Sequence, residues 1–172
     1  MTEQDFAPDQ IGVPLSRHKD RGCELLQGAP VFSGKILGGC LDTLYDIFAG
    51  ARYEDMPGLC RQYDLFPSAH DWRGRILLLE TSEEKMLPEK YRKALVFLKE
   101  EGVFEVVSGI LVSKPIDEVY GSEYRSILQE VVDDPSLPIV CNINIGHALP
   151  RCIIPFGFEA VVDVERQRIT FR

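Results

Sequence analysis

Two residues of this chain have the types and settings that proton-transfer chemistry needs. Glu80 ends the apolar run "RILLLE" and opens "TSEEK". His147 stands in "NINIGHALPRCIIPFG", directly after the apolar run "LPIVCNINI". A carboxylate that orients an imidazole, which in turn takes a proton from a hydroxyl, is the logic of a catalytic triad. Each residue also has an ordinary reading. A glutamate at a strand end serves as a helix cap or a solvated charge. A histidine between Gly146 and Pro150 serves as part of a turn.

The partner such a base would activate is hard to find. The chain has no G-x-S-x-G elbow. Ser33, Ser108 and Ser113 sit beside glycine, lysine or strand residues and read as structural. Cys141 and Cys152 lie close to His147 in sequence, which leaves a Cys–His pair open. Both are flanked by apolar residues, the usual setting of inert buried thiols. No HExxH and no CxxC pair occurs, so neither a metal nor another cofactor is indicated. Asp163 and Glu165 fit a solvated hairpin, and His18 and His70 fall in polar loops. Trp72, between Asp71 and Arg73, reads either as a pocket wall or as an apolar plug where a loop rejoins the core.

For Glu80 and His147 to meet, the intervening elements must bring two strand ends to one edge. "RILLLE", "VSGILVS" and "LPIVCNINI" are near-continuous apolar runs, expected of strands buried on both faces. Between them, "PEKYRKALVFLKEEG" starts at Pro88, stops at Gly102 and carries a stripe of Tyr91, Ala94, Leu95 and Leu98. "GSEYRSILQEVVDDP" carries Tyr124, Ile127, Leu128 and Val131 on one face. This alternation predicts right-handed crossovers and a parallel sheet, whose sites lie at the carboxyl ends of the strands. Upstream, "CELLQG" and "GKILGG" read as short strands, and "LDTLYDIFAG" as a helix ending at Gly50. Residues 51–74 read as a long irregular connection, a common place for function. The tail "FEAVVDVERQRITFR" reads as two strands around a turn at 165–167, a small antiparallel element beside the parallel sheet.

Bulk properties bound the function. The 172 residues suggest one domain, with residues 1–22 as a linker or arm and 23–172 as the folded unit. A net charge of −8 argues against nucleic acid or an anionic membrane as the main partner. The start "MTEQDFAPDQIGVP" has no signal-peptide pattern, and no apolar run reaches membrane-spanning length. Five irregularly spaced cysteines fit reduced thiols, so the expectation is a cytoplasmic protein.

In this order, "LLQGAPVFSGKILGGCLDTL", "GRILLLETSEE", "LVFLKEEGVFEVVSGILVSKP" and "LPIVCNINIGHALPRCIIPFGFEAVVDVERQRITF" resemble the LD-carboxypeptidase family, nearest the branch of microcin C self-immunity peptidases. The resemblance runs from about residue 20 to the end and covers the family's C-terminal domain only. It implies an α/β fold: a swivelling three-layer β/β/α domain with a central parallel sheet and a smaller antiparallel one. It also implies a serine peptidase in which Glu80 and His147 match the glutamate and histidine of a Ser–Glu–His triad. The family's serine and oxyanion hole belong to an N-terminal flavodoxin-like domain, which nothing here matches. That domain is therefore the implied partner, and the chain by itself is expected to be inactive.

By the same resemblance, the substrate is a murein peptide, cleaved at the amide before a terminal D-amino acid, or an aminoacyl-nucleotide antibiotic. Arg52, Tyr53 and Trp72 on the long connection are candidates to line its pocket. The chain departs from the family at Ala148, where threonine is frequent, and at Cys40, where asparagine is frequent. "AGARY" and "GCELLQG" also differ from the usual segments. Two other readings stand beside this one: a non-catalytic binding or scaffold domain, and a Cys–His hydrolase on Cys141 or Cys152. The face around Glu80 and His147, if left open, is a candidate homodimer surface.

Overall fold

The computed structural model describes residues 21–172; the arm expected over 1–22 lies almost wholly outside them. Seven strands form one curled sheet in the order β1-β5-β4-β3-β2-β6-β7. They are β1 (Glu24–Gln27), β2 (Val31–Cys40), β3 (Ile76–Glu80), β4 (Gly109–Ser113), β5 (Ile139–Ile143), β6 (Glu159–Asp163) and β7 (Arg168–Phe171). β2, β3, β4 and β5 pair in parallel, as the strand–helix alternation predicts. β1 and the β6–β7 hairpin pair antiparallel at the two flanks.

β2 joins the two parts of the sheet. Its second half, Ile36–Cys40, runs parallel to β3, while its first half, Val31–Lys35, runs antiparallel to β6. One strand therefore carries the parallel ladder into the antiparallel one, and the sheet curls. The α/β class with a parallel centre and a smaller antiparallel part is what the sequence and the resemblance implied.

Among the described residues, six α-helices accompany the strands: α1 (Leu41–Phe48), α2 (Met56–Gln62), α3 (Ala69–Trp72), α4 (Pro88–Glu100), α5 (Val103–Val106) and α6 (Gly121–Val132). The expected stripes of α4 and α6 are all buried. With Leu77, Leu79, Ile110, Ile139 and Cys141 they form the larger core, on one face of the sheet. Ile36, Ile76, Leu78, Leu111 and Val140 face the other way and pack with Ala160 and Val162 of β6. Alternation along β3 explains the split, since odd and even residues of a strand face opposite sides. At roughly 1.5–3 kcal/mol for each fully buried large apolar side chain, both faces are strongly held.

Three local readings needed correction. Residues 51–74 contain α2 and α3 rather than irregular chain alone. α3 has a capping box that sequence periodicity over so few residues does not reveal: Ser68 Oγ accepts the Asp71 N–H, and Asp71 accepts the Ser68 N–H. After Gly102, at φ +71, the chain starts the short helix α5 instead of passing directly to β4. The strand expected at "GKILGG" begins three residues earlier, because β6 supplies an antiparallel partner for Val31–Lys35.

Candidate functional site

The carboxyl ends of the parallel strands lie side by side, with Cys40 opposite Glu80 and Ser113 opposite Ile143. β4 separates β3 from β5. At about 4.8 Å per strand, a side chain leaving the end of β5 must cross roughly 10 Å to reach β3. The segment 144–147 makes that crossing. The Ile145 N–H bonds to the Ile143 carbonyl at 3.0 Å, and the Cys152 N–H closes the loop onto the Asn144 carbonyl at 2.7 Å.

The crossing brings His147 Nδ1 to 2.9 Å from Glu80 Oε2. Gly146 makes it possible. Its φ is +71°, and a Cβ there would stand 2.0 Å from Glu80 Oε2. Glycine is thus required twice, for the left-handed backbone and for the close approach to the carboxylate. The Glu80 side chain is only 13 % exposed and that of His147 33 %. The pair is therefore anchored at its acidic end and open at the imidazole.

The other imidazole nitrogen is also engaged. His147 Nε2 lies 2.9 Å from Glu83 Oε2, whose side chain is 66 % exposed. Sequence reading passed over Glu83, since one acid within "TSEEK" carries no distinguishing pattern. It is placed by the turn that follows β3. The buried Asp42, in the first turn of α1, accepts the Ser82 N–H at 3.0 Å. On the other side, Lys85 pairs with Asp117 at 2.6 Å, and the Tyr124 hydroxyl donates to the Met86 carbonyl. Asp42 is a second residue the sequence did not single out. A buried aspartate one turn into a helix becomes legible only when a neighbouring loop presents it with an N–H.

The remaining candidates are placed apart from the pair. Arg52 and Tyr53 are exposed beyond the far end of α1, with the Arg52 guanidinium 5.9 Å from the centre of the Tyr53 ring. No hydrogen bond or ion pair joins either of them to Glu80 or His147 among the described residues. Trp72 is 1 % exposed within the larger core and packs against Phe66, with ring centres 6.2 Å apart.

The cysteines form no disulfide. Burial pushes the Cys141 thiol up to about 12, and it lies in the larger core on the helical side of the sheet. Burial also raises Cys40, outweighing its hydrogen bonds with Thr43, and the Glu80 and Asp42 charges add to the rise. Both therefore stay protonated near neutral pH and are poor nucleophiles. Cys152 is exposed. Among the described residues, no group of three or more His, Cys, Asp or Glu side chains could hold a metal ion. No described helix is long and apolar enough to cross a membrane.

The described residues thus form a curled α/β sheet with a carboxylate–imidazole pair at its carboxyl edge. The family model for the LD-carboxypeptidase C-terminal domain matches residues 33–162, and the chain belongs to that family. An MccF-like protein from Streptococcus pneumoniae, solved in complex with AMP, is 50 % identical with a TM-score of 0.93 over 99 % of this chain and 50 % of that one. MccF, the microcin C7 self-immunity protein, solved with aspartyl sulfamoyl adenosine, is 25 % identical with a TM-score of 0.68 over 92 % of this chain and 42 % of that one. A Treponema pallidum (strain Nichols) protein with a provisional carboxypeptidase assignment is 26 % identical over 140 residues, 80 % of this chain and 36 % of that protein. The chain thus spans half or less of the length of these relatives.

Proposed function

We propose that this domain supplies the acid and the base of a Ser–Glu–His amide hydrolase, with Glu80 orienting His147 and His147 serving as general base. The observation that carries this reading is the 2.9 Å contact between Glu80 Oε2 and His147 Nδ1. With a proton on Nδ1, the glutamate fixes the tautomer in which Nε2 is free to accept a proton. It also stabilises the imidazolium formed when a serine hydroxyl gives that proton up. The serine would attack the amide carbonyl to give an acyl-enzyme, and His147 would then return its proton to the departing amine. Water, activated by the same nitrogen, would release the acyl group.

Glu83 sits where that hydroxyl must come. An exposed carboxylate on an imidazole contributes about 0–1 kcal/mol, so an incoming serine displaces it at little cost. The nucleophile and the oxyanion hole belong, in this reading, to a flavodoxin-like N-terminal domain, and this chain alone is inactive. Ile153, 93 % exposed, and the exposed Phe156 and Phe158 lie in the segment after His147 and are apolar surface that such a domain would cover.

Of the two substrate classes, the aminoacyl-nucleotide is favoured. The 50 % identical relative was solved with AMP, and MccF with aminoacyl sulfamoyl nucleosides. The test is reconstitution. The chain is joined to the half of the Streptococcus pneumoniae relative that it does not cover, and the fusion is offered an aspartyl sulfamoyl adenosine and a murein tetrapeptide. Cleavage of the nucleotide amide by the fusion, and by neither half alone, is the expected result. Hydrolysis by this chain alone would overturn the half-site reading, and preference for the tetrapeptide would reverse the substrate assignment.

A further inference from the structure

Glu83 is the group beside His147 to which the triad logic gives no task. Its Oε2 stands 2.9 Å from His147 Nε2, the nitrogen that meets the incoming hydroxyl in the hydrolase reading. The turn that carries it is pinned on both sides. Before it, the Ser82 N–H donates to the buried Asp42 at 3.0 Å. After it, Lys85 pairs with Asp117 at 2.6 Å. The backbone at Glu83 is therefore held, whereas its exposed side chain can turn about its own bonds. Among the described residues, Glu83 makes its ion pair with His147 alone. Arg151 donates instead to the His147 carbonyl, at 3.4 Å.

A hydroxyl that gives its proton to Nε2 must stand within about 2.6–3.2 Å of it, in the space the Glu83 carboxylate takes up. The displaced carboxylate then needs a new partner, and covalent geometry limits what lies within reach. The carbonyl carbon under attack is about 3–3.5 Å from the hydroxyl oxygen. In an aminoacyl group the α-amino nitrogen lies about 2.5 Å further on. It is thus no more than about 6 Å from the point that Glu83 Oε2 leaves. One hydrogen bond and a swing of about 3 Å cover that distance. Near neutral pH this nitrogen is largely an ammonium. In a murein tetrapeptide cleaved before its last residue, the nitrogen at the same place is an uncharged amide of the chain.

We propose that Glu83 is a specificity residue: displaced from His147 Nε2, its carboxylate accepts from the free α-ammonium of an aminoacyl substrate. This rests on the hydrolase reading and names the group in this chain that selects an aminoacyl-nucleotide over a murein peptide. The carboxylate stays paired throughout, with the imidazole before substrate arrives and with the ammonium afterwards. An acyl group that lacks the ammonium leaves it unpaired in a covered site, and that difference is the discrimination.

The fusion with the Streptococcus pneumoniae half is offered aspartyl sulfamoyl adenosine and succinyl sulfamoyl adenosine, the same molecule without its α-amino group. The readout is the preference for the first over the second. It is taken from kcat/KM where the fusion hydrolyses them, and from calorimetric Kd where it binds without hydrolysis. Glu83→Gln should lower the preference about tenfold or more, the size of one hydrogen bond to a charged group. The change should fall on KM for the aspartyl compound rather than on kcat, as expected for binding made equally in ground and transition states. Glu83→Ala should act in the same direction. Comparing two ligands on one protein cancels any loss of folded material. An unchanged preference in both variants overturns the role of Glu83 and leaves the hydrolase reading intact. Binding without hydrolysis removes the hydrolase reading, and the Kd preference then decides on Glu83. A fusion that binds neither compound overturns both.

Discussion

His147 Nδ1 lies 2.9 Å from Glu80 Oε2, although 67 residues separate the two in the chain. The contact spans the width of β4 and relies on a glycine with no room for a side chain next to it. It leaves Nε2 facing an exposed carboxylate rather than a core atom. Four predictions rest on this geometry and its surroundings.

In the reconstituted enzyme, Glu80→Gln should lower kcat by about 10⁴-fold and His147→Ala by about 10⁶-fold, the losses typical of those two triad members. The Glu80→Gln protein should fold normally, since the amide keeps the shape and one acceptor. Steady-state kinetics beside circular dichroism separates the two effects. Full activity in either variant would remove that residue from the mechanism.

Gly146→Ala should damage both stability and activity. The new methyl meets Glu80 Oε2 at 2.0 Å and the backbone is held at φ +71°. The strain is about 1–3 kcal/mol, read as a lower urea midpoint. A crystal structure or imidazole nitrogen shifts should show the Glu80–His147 contact broken. An unchanged midpoint and contact would mean that the turn relaxes freely.

Glu83→Gln should change stability by no more than about 1 kcal/mol, as expected for an exposed pair. In the isolated chain the imidazole Nε2 resonance should move, since its carboxylate neighbour is gone. In the reconstituted enzyme kcat should stay within a small factor of the parent, because the serine takes that place. A loss as deep as that of Glu80→Gln would make Glu83 a member of the catalytic group.

Alkaline pH should destabilise the fold. The Cys141 thiol rises from an ordinary value of 9.0 to about 12, and Tyr91 and Tyr124 are also raised by burial. A group raised in the folded state favours folding fully below its unfolded value. That contribution is lost as pH climbs toward the folded value, because the unfolded chain gives up its proton first. Chemical denaturation should therefore show stability falling from about pH 9 upward. Iodoacetamide at pH 8 should label exposed Cys152 well before Cys141. Fast labelling of Cys141 in the folded chain would contradict its burial and reopen a Cys–His reading.

Much of the architecture was legible because each signal is local. Apolar runs five residues long have one main use, as strands buried on both faces, and β3, β4 and β5 are such runs. The stripes of α4 and α6 follow the helical period, and the same residues are buried. β2 was less legible, since its partners change from β3 to β6 midway and no periodicity within the strand announces the change. α2 and α3 were missed because helices of 7 and 4 residues are too short to show a period.

The candidate site divides in the same way. Sequence by itself determined that a glutamate ends one apolar strand and a histidine follows another, and the four ordered motifs tied them to one family. Their separation along the chain carried no information about distance. Only the tertiary structure decided that segment 144–147 crosses β4, that Gly146 lies against the carboxylate, and that Glu83 rather than a core residue meets Nε2. It also put Trp72 in the core. The physical reason is that strand and helix patterns are set by residues a few positions apart, whereas a site is set by which sheet edge those elements share.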